Sequence, residues 1–460
     1  MTVFVNRILN LKKIKAIGFD MDYTIVRYQT ENFERYAYES TLKLLHTNCH
    51  YPKEILDLKF QYDLVIQGLV IDRSRGNLLK LSRFGKVKSS KHGTKTIDYR
   101  EQRKIYGNLN IDLAEPNFQS LDTHFSISNG VLYSQLVELK SQGLDLPEFG
   151  QIAIDIKAML DLIHSDGSLK LEIRRNPEKY VIKDPDVVKL LENIKDSGKK
   201  LMVITNSEFP YSKFLMNYAI NPFLKNHEDW TKLFDIVITL SRKPSFFEKK
   251  TNFLAIDPGT GLMTNWFEPV TSGIYQGGFA TTLQNDLGLD GEEILYFGDH
   301  IYGDVVSLKK TCNWRTALVF EPLSEEIAGL KRGQVEQKQI DKLMNQKEEL
   351  ERQVNSLKKA KEKKPVESSK NKLQSELDSI YSNIDDINNQ ISDLINKYNS
   401  HFNPNWGQMM RAGAEESNFA DQIEKYACIY MTKITDLLDH STKSYFRPHR
   451  RTLPHERIIE

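Results

Sequence analysis

The chain has 460 residues, 40% of them hydrophobic, and its 63 Lys and Arg against 62 Asp and Glu give a formal net charge of +1. That length suits roughly three domain-sized units, and the charge balance argues against a strongly basic nucleic-acid binder or an acidic tail protein. Cys49, Cys312 and Cys428 are too few and too scattered for a disulfide framework or a zinc site, and no run near ~18 apolar residues suggests a signal peptide or membrane span. A cytoplasmic protein with no membrane or nucleic-acid partner is expected.

The first element is "IKAIGFD" at 14–20, a short apolar run that reads as a buried strand. It runs straight into "DMDYT", with two carboxylates one residue apart. Residues i and i+2 of a strand point the same way, so Asp20 and Asp22 can face one site where the strand ends. One carboxylate can act as a nucleophile, forming an aspartyl-phosphate, while the other hands protons to the leaving group. Thr24 is expected to fix the turn. Exposed turns carry such pairs too, so the motif alone does not decide.

Roughly 150 residues separate this strand from the next, too many for a simple crossover. Residues 31–190 therefore read as an inserted α+β cap, with strands in "DLVIQGLVIDRSRGNLLKL" and helices in "QLVELKSQ" and "QIAIDIKAMLDLIHSDG". The core resumes with a helix, "DPDVVKLLENIKDSGKK" at 184–200, and the strand "KLMVITNS" at 200–207. That strand ends in Thr205, Asn206 and Ser207, hydroxyls and an amide suited to phosphate oxygens. "FDIVITL" at 234–240 follows, with Lys243 just past it as a cation for a phosphate. "EILYFGDH" at 293–300 brings Asp299 and, beyond it, Asp304; "TALVF" at 316–320 reads as the last core strand. Alternating strands and helices indicate an α/β fold with a parallel sheet, whose functional residues gather at the carboxyl ends of the strands. A carboxylate facing Asp20 there would make an oxygen site for Mg²⁺. Singly, a Thr-Asn-Ser turn, a loop lysine and helix-capping aspartates are ordinary; together and in order they point to one site.

After the core, heptads run through Ile340, Leu343, Lys347, Leu350, Val354 and Leu357, then through Leu373, Leu377, Ile380, Ile384, Ile387, Ile391 and Leu394. Pro365 lies between and breaks a helix. Residues 333–400 therefore read as an antiparallel coiled-coil hairpin, either a solvated pair on its own domain or a protruding arm that makes an oligomer contact. The tail 401–460 reads as a helical segment packing on the core or on a subunit interface.

The ordered set "DMDYT", "TNS", "RKP" and "GDHIYGD" resembles the haloacid dehalogenase-like superfamily. With "RGNLLKL", "GSLK", "RKPSFF", "GGFATTL" after "SGIYQ", and "LPHE", the chain is similar to the cytosolic purine 5′-nucleotidases that prefer IMP and GMP. The resemblance spans nearly all of the chain outside the heptad insertion. It implies a Rossmann-like core, here 1–30 and 191–332, Mg²⁺ as cofactor, Asp20 as nucleophile, and Asp22 as acid/base whose backbone carbonyl meets the metal. It further implies Asp299 and Asp304 at the metal, and Thr205, Asn206, Ser207 and Lys243 around the phosphate. In the cap it implies Phe125 and His164 stacking a purine, Asp161 bonding the base, and Lys170 near the phosphate. Lys157 and Ser165 stand where the family usually has arginine and tyrosine, and a lysine cannot offer a planar fork to a base edge. An effector base could stack on Tyr302 near Lys310. The expected protein is a Mg²⁺-dependent 5′-nucleotidase acting on purine nucleoside monophosphates, with scope for phosphotransfer, assembled as a homo-oligomer (dimer or tetramer). A phosphatase of another small ester, such as a sugar phosphate, and a weak enzyme acting as a scaffold through its coiled coil remain as alternatives.

Overall fold

The computed structural model describes residues 3–363, 367–450, 453, 455 and 456. The expected helix break at Pro365 and the proline of "LPHE", Pro454, lie outside these residues. The described residues of Met1–Leu323 and Met410–Glu460 form one compact unit, and those of Ser324–Met409 form a second.

The first unit is organised by a ten-stranded sheet. Its centre is strand Ala16–Phe19, flanked by parallel Lys200–Ile204 on one side and parallel Ile294–Gly298 on the other. Parallel pairing continues outward through Ile236–Thr239 to Gly273–Gly277, and in the other direction through Arg315–Val319 to Ile429–Met431. Antiparallel strands close both edges: Val3–Val5 on one, and Phe253–Ile256 with Met263–Trp266 on the other. All five strands read from the sequence are present. The tail differs from its helical reading, because beside helix Asn418–Tyr426 it threads a core strand, Ile429–Met431, next to Arg315–Val319. "TALVF" is therefore not the last core strand. Its three residues pair in parallel with Arg315–Val319 and antiparallel with Val3–Val5, so both sides of the strand are hydrogen-bonded.

The period-two pattern of the strands builds two cores. Ile17, Phe19, Leu201, Val203, Leu295 and Phe297 face one layer, with Val187, Leu191 and Leu215 from helices Pro185–Asp196 and Phe209–Ala219. Ala16, Met202, Ile204, Ile294 and Tyr296 face the other, against Ala280 and Leu283 of helix Ala280–Leu287 and Leu308. Burial on both faces is why these strands read as continuous apolar runs.

The cap carries its own five-stranded antiparallel sheet, in the order Lys95–Thr96, Val87–His92, Asn77–Leu81, Leu69–Asp72, Phe118–Leu121. Helices Thr30–Asn48, Ile127–Ser141 and Phe149–Ser165 accompany it. The chain enters and leaves the cap through one short antiparallel pair, Arg27–Tyr28 with Val181–Ile182. Arg27 pins this junction through Asp184 at 3.1 Å and Glu321 at 2.7 Å.

In the second unit, helices Gln334–Lys363 and Glu367–Asn399 form a long pair. Lys361 bonds Gln374 near one end and Lys397 bonds Glu336, 2.7 Å, near the other, so the two run antiparallel. Val354, Leu377 and Ile384 form the buried seam with Leu350, Leu357 and Ile380. Among the described residues no helix is long and apolar enough to cross a membrane.

Candidate active site

Asp20 directly follows strand Ala16–Phe19, and its N–H still donates to the Phe297 carbonyl at 2.8 Å. The ladder thus holds it at the carboxyl edge of the sheet. The turn that follows is closed by the Met21 carbonyl, which accepts from the N–H groups of Ile25 (3.1 Å) and Val26 (2.9 Å). Thr24, expected to fix this turn, buries its hydroxyl without a hydrogen-bond partner among the described residues. The backbone does that job.

Lys243 is the electrostatic centre. Its ammonium lies 2.7 Å from Asp304 Oδ1 and 3.0 Å from Asp20 Oδ1, and donates to the Tyr296 hydroxyl at 3.0 Å. Burial works against the charge, but the two carboxylates outweigh it and hold the ammonium well above the usual lysine range. Tyr296 in turn donates to the Ile204 carbonyl, 2.8 Å, tying together the two strands that flank Ala16–Phe19. Gly18 makes room for this, since a Cβ there would meet the Tyr296 ring at 2.8 Å. Gly298 likewise lets Asp304 tuck beneath its strand end; a Cβ would overlap the Asp304 side chain. Asp304 lies in a wide helical turn, Ile301–Val306, and its Oδ2 accepts from the His300 N–H at 3.2 Å. His300 Nδ1 caps that turn, accepting from the N–H groups of Tyr302 (3.2 Å) and Gly303 (3.3 Å).

Asp20, Asp299 and Asp304 each offer a carboxylate oxygen within 4.8 Å of the others. All three are buried, and Asp299 Oδ2 has no hydrogen-bond partner among the described residues. Burial, with repulsion from neighbouring carboxylates and against the pull of Lys243, lifts the Asp20 carboxyl to about 7 and Asp299 well above the usual range. Three carboxylates beside one ammonium leave negative charge uncompensated. A hard divalent cation with oxygen ligands, such as Mg²⁺, fits that donor set.

The Asp22 carboxylate lies outside this cluster. It accepts from the Tyr28 hydroxyl on one oxygen and from the Ser207 hydroxyl, 2.7 Å, on the other. Its expected metal contact is therefore no property of the side chain. Burial raises its pKa, against the lowering effect of those two hydrogen bonds. Thr205 is buried and its hydroxyl accepts from the Ser207 N–H at 3.0 Å. Asn206 has both ends of its amide on the lysine loop: Oδ1 accepts from Lys243 N–H at 2.6 Å, and Nδ2 donates to Lys243 O at 3.1 Å. In this geometry Asn206 holds Lys243 in place instead of presenting its amide to a phosphate.

In the cap, Phe125 and His164 meet edge to face, with centroids 5.6 Å apart. Phe33 stacks on His164 at 6.4 Å, and Tyr23 meets Phe125 at 5.0 Å. The two rings come together as the sequence led us to expect, but no third ring fits between them; a base would stack on an outer face. Burial lowers the His164 pKa, favouring neutral imidazole. Lys170 reaches the core, 3.5 Å from Glu208 and over the Tyr211 ring at 5.6 Å. Lys157 and Asp161 pair with each other at 2.9 Å on the exposed side of helix Phe149–Ser165, apart from the ring cluster's contacts. Tyr302 is half exposed, whereas Lys310 sits over Tyr426.

A family model for the 5′ nucleotidase family matches residues 3–458. The chain belongs to the 5′-nucleotidase family. It is thus a phosphoric monoester hydrolase, and the carboxylate set described above is its candidate centre. A 5′-nucleotidase domain-containing protein of Dictyostelium discoideum is 27% identical, aligned over 99% of this chain and 74% of its own length. The 5′-nucleotidase domain-containing protein 2 of Rattus norvegicus is 24% identical, over 99% and 80% respectively. Among solved structures, a predicted phosphoglycolate phosphatase from Haemophilus somnus is 14% identical with a TM-score of 0.29, covering 67% of this chain and 85% of its own.

Several residues of this 5′-nucleotidase site were not read from its sequence: Tyr28, Ser241, Tyr296, His300, Glu208 and Tyr211. Tyr296 had a signal, a polar-tipped aromatic inside a fully apolar strand, which needs a partner once buried. Ser241 donates to Thr205 O at 2.9 Å and Asn206 Oδ1 at 3.0 Å, contacts set by the pairing of neighbouring strands and invisible in either segment alone.

Proposed function

We propose that the protein hydrolyses purine nucleoside 5′-monophosphates of the IMP and GMP type, with Mg²⁺, through a phosphoryl group carried on Asp20. The observation that carries this reading is the division of the two motif carboxylates. Asp20 joins the buried Asp299, Asp304 and Lys243 cluster, while Asp22 is held apart by Tyr28 and Ser207. A nucleophile and a proton carrier need different surroundings, and these two have them.

Asp20, Asp299 and Asp304 would hold the ion, which when bound supplies positive charge to the phosphoryl oxygens. Asp20 attacks phosphorus, the bond to the nucleoside O5′ breaks, and Asp22 gives its proton to that oxygen. Asp22 then takes a proton from water as the water attacks phosphorus, releasing phosphate and freeing Asp20. Lys243 balances charge on Asp20 and on the transferred group, and Tyr296 and Asn206 keep it there. The aromatic cluster of Phe33, Phe125 and His164 supports a purine as the leaving group's base, because any purine face can stack on such rings. Lys170, directed from the cap to the core, is suited to the substrate phosphate.

Phosphate release from GMP, IMP, AMP and a set of sugar phosphates, with Mg²⁺ and with chelator, tests this. GMP and IMP should react fastest, and chelator should stop the reaction. A sugar phosphate turned over as well as GMP would overturn the base preference. No release from any ester with Mg²⁺ present would favour the scaffold reading.

A further inference from the structure

Tyr28 stands at a junction that the reaction itself does not explain. It is buried, 2% exposed, on the two-residue strand through which the chain enters the cap, paired with Val181 on the strand through which it leaves. Its hydroxyl donates to Asp22 and lies 3.4 Å from the Tyr211 hydroxyl. Its ring packs on Tyr23, 4.9 Å, and Phe33, 5.4 Å, the latter on the first cap helix and stacked on His164. Tyr211 lies under Lys170, the cap lysine that pairs with Glu208. Two routes from the cap, the ring cluster and Lys170–Tyr211, thus end on one phenol. That phenol and Ser207 together fix both oxygens of Asp22.

We propose that Tyr28 is a positioning residue that couples the seating of the cap to the placement of the Asp22 carboxylate. A substrate that settles the rings around His164 and the lysine above Tyr211 thereby sets the proton carrier against the leaving oxygen. A small ester that does not engage the cap gains no such alignment. This rests on the assignment of Asp22 as acid/base in the proposed function. The Tyr28 hydroxyl meets Asp22 and Tyr211, and it acts through Asp22.

The test is a double-mutant cycle of Tyr28→Phe with Asp22→Asn, using GMP and p-nitrophenyl phosphate. Tyr28→Phe keeps the ring and removes only the hydroxyl. It should lower kcat for GMP by about 10–100-fold, within the range typical of losing part of acid–base catalysis, with KM changed less than threefold or so. With p-nitrophenyl phosphate, whose leaving group departs without a proton, phosphoenzyme should build up on rapid quenching. In the Asp22→Asn background the same substitution should cost almost nothing further, because its target is gone. Ser207→Ala, removing the other hydroxyl on Asp22, should behave in the same way and guards against a folding defect in Tyr28→Phe. Fully multiplicative losses, or a rise in KM at unchanged kcat, would overturn the positioning role. An inactive wild-type enzyme, or Asp22→Asn as active as wild type, would instead overturn the proposed function beneath it.

Discussion

Asp20 and Asp22 show how two identical side chains, two positions apart, receive different chemistry from what packs against them. Asp20 faces an ammonium and two more carboxylates; Asp22 faces two hydroxyls. Asp20→Asn is expected to abolish both hydrolysis and any covalent phosphoprotein, whereas Asp22→Asn should slow turnover of GMP by about 10²–10⁴ and, with p-nitrophenyl phosphate, whose leaving group needs no proton, leave phosphate trapped on Asp20. Rapid quenching followed by mass spectrometry of the peptide containing Asp20 distinguishes them, and a phosphate found on residue 22 of the wild type would reverse the roles. A third acid, Glu34, is a stability group. It is fully buried, with Oε2 accepting from the Ser128 N–H at 2.7 Å and Oε1 unpartnered among the described residues. Burial lifts its pKa from 4.5 to about 7, against the lowering effect of Ser128. The folded pKa exceeds the unfolded one, so its contribution is complete below 4.5 and is lost as pH rises through about 7. Above that the folded state must hold a buried charge at a cost of about 3 kcal/mol. Glu34→Gln should therefore raise Tm at pH 8 and change it little at pH 4.5; equal shifts at both would show that the carboxyl does not titrate on folding.

At the scale of elements, the helical pair closes on itself. At its base Arg332 donates to the His401 carbonyl at 2.8 Å, and its apolar seam is internal. None of the candidate active-site residues lies between Gln334 and Asn399. Replacing that span with a short Gly/Ser loop changes loop-closure entropy only slightly, by about 0.6 kcal/mol for each doubling of length. The deletion should keep phosphate release within about twofold while changing the oligomer size seen by light scattering. Lost activity in a folded deletion variant would mean that the arm helps to build the site. The seam also shows why the first heptad run looks broken: Lys347 occupies one of its positions and is paired along its own helix with Glu351 at 3.9 Å. The stem of a lysine can cover a seam while its charge stays in water.

At the scale of the whole molecule, the proposed function gives base recognition to the cap and bond cleavage to the core. Phe125→Ala and His164→Ala should each raise KM for GMP by about 10-fold, on the order of one lost stacking contact, and leave p-nitrophenyl phosphate hydrolysis nearly unchanged; an equal loss on both substrates would remove the base from that aromatic cluster. Much of this plan was legible in the linear chain. The strands buried on both faces announce themselves as unbroken apolar runs, because periodicity and burial are local properties of "IKAIGF" or "EILYFG". The carboxylates, hydroxyls and lysine could be assigned to one site because a parallel sheet gathers strand ends at a single edge. Partners were not legible. Nothing near Asp22 in the sequence marks Ser207 as the second hydroxyl on its carboxylate, and nothing in "TNS" says that Asn206 will clamp Lys243. The tail strand Ile429–Met431 is too short to stand out by pattern, and it is a strand because Arg315–Val319 on one side and Val3–Val5 on the other pair with it. By itself, the sequence determined which segments become strands and helices and which functional groups stand at their ends, since those depend on neighbours in the chain. Only the tertiary structure decided which groups share a charge, a proton or a ring face, since those depend on contacts between segments tens to hundreds of residues apart.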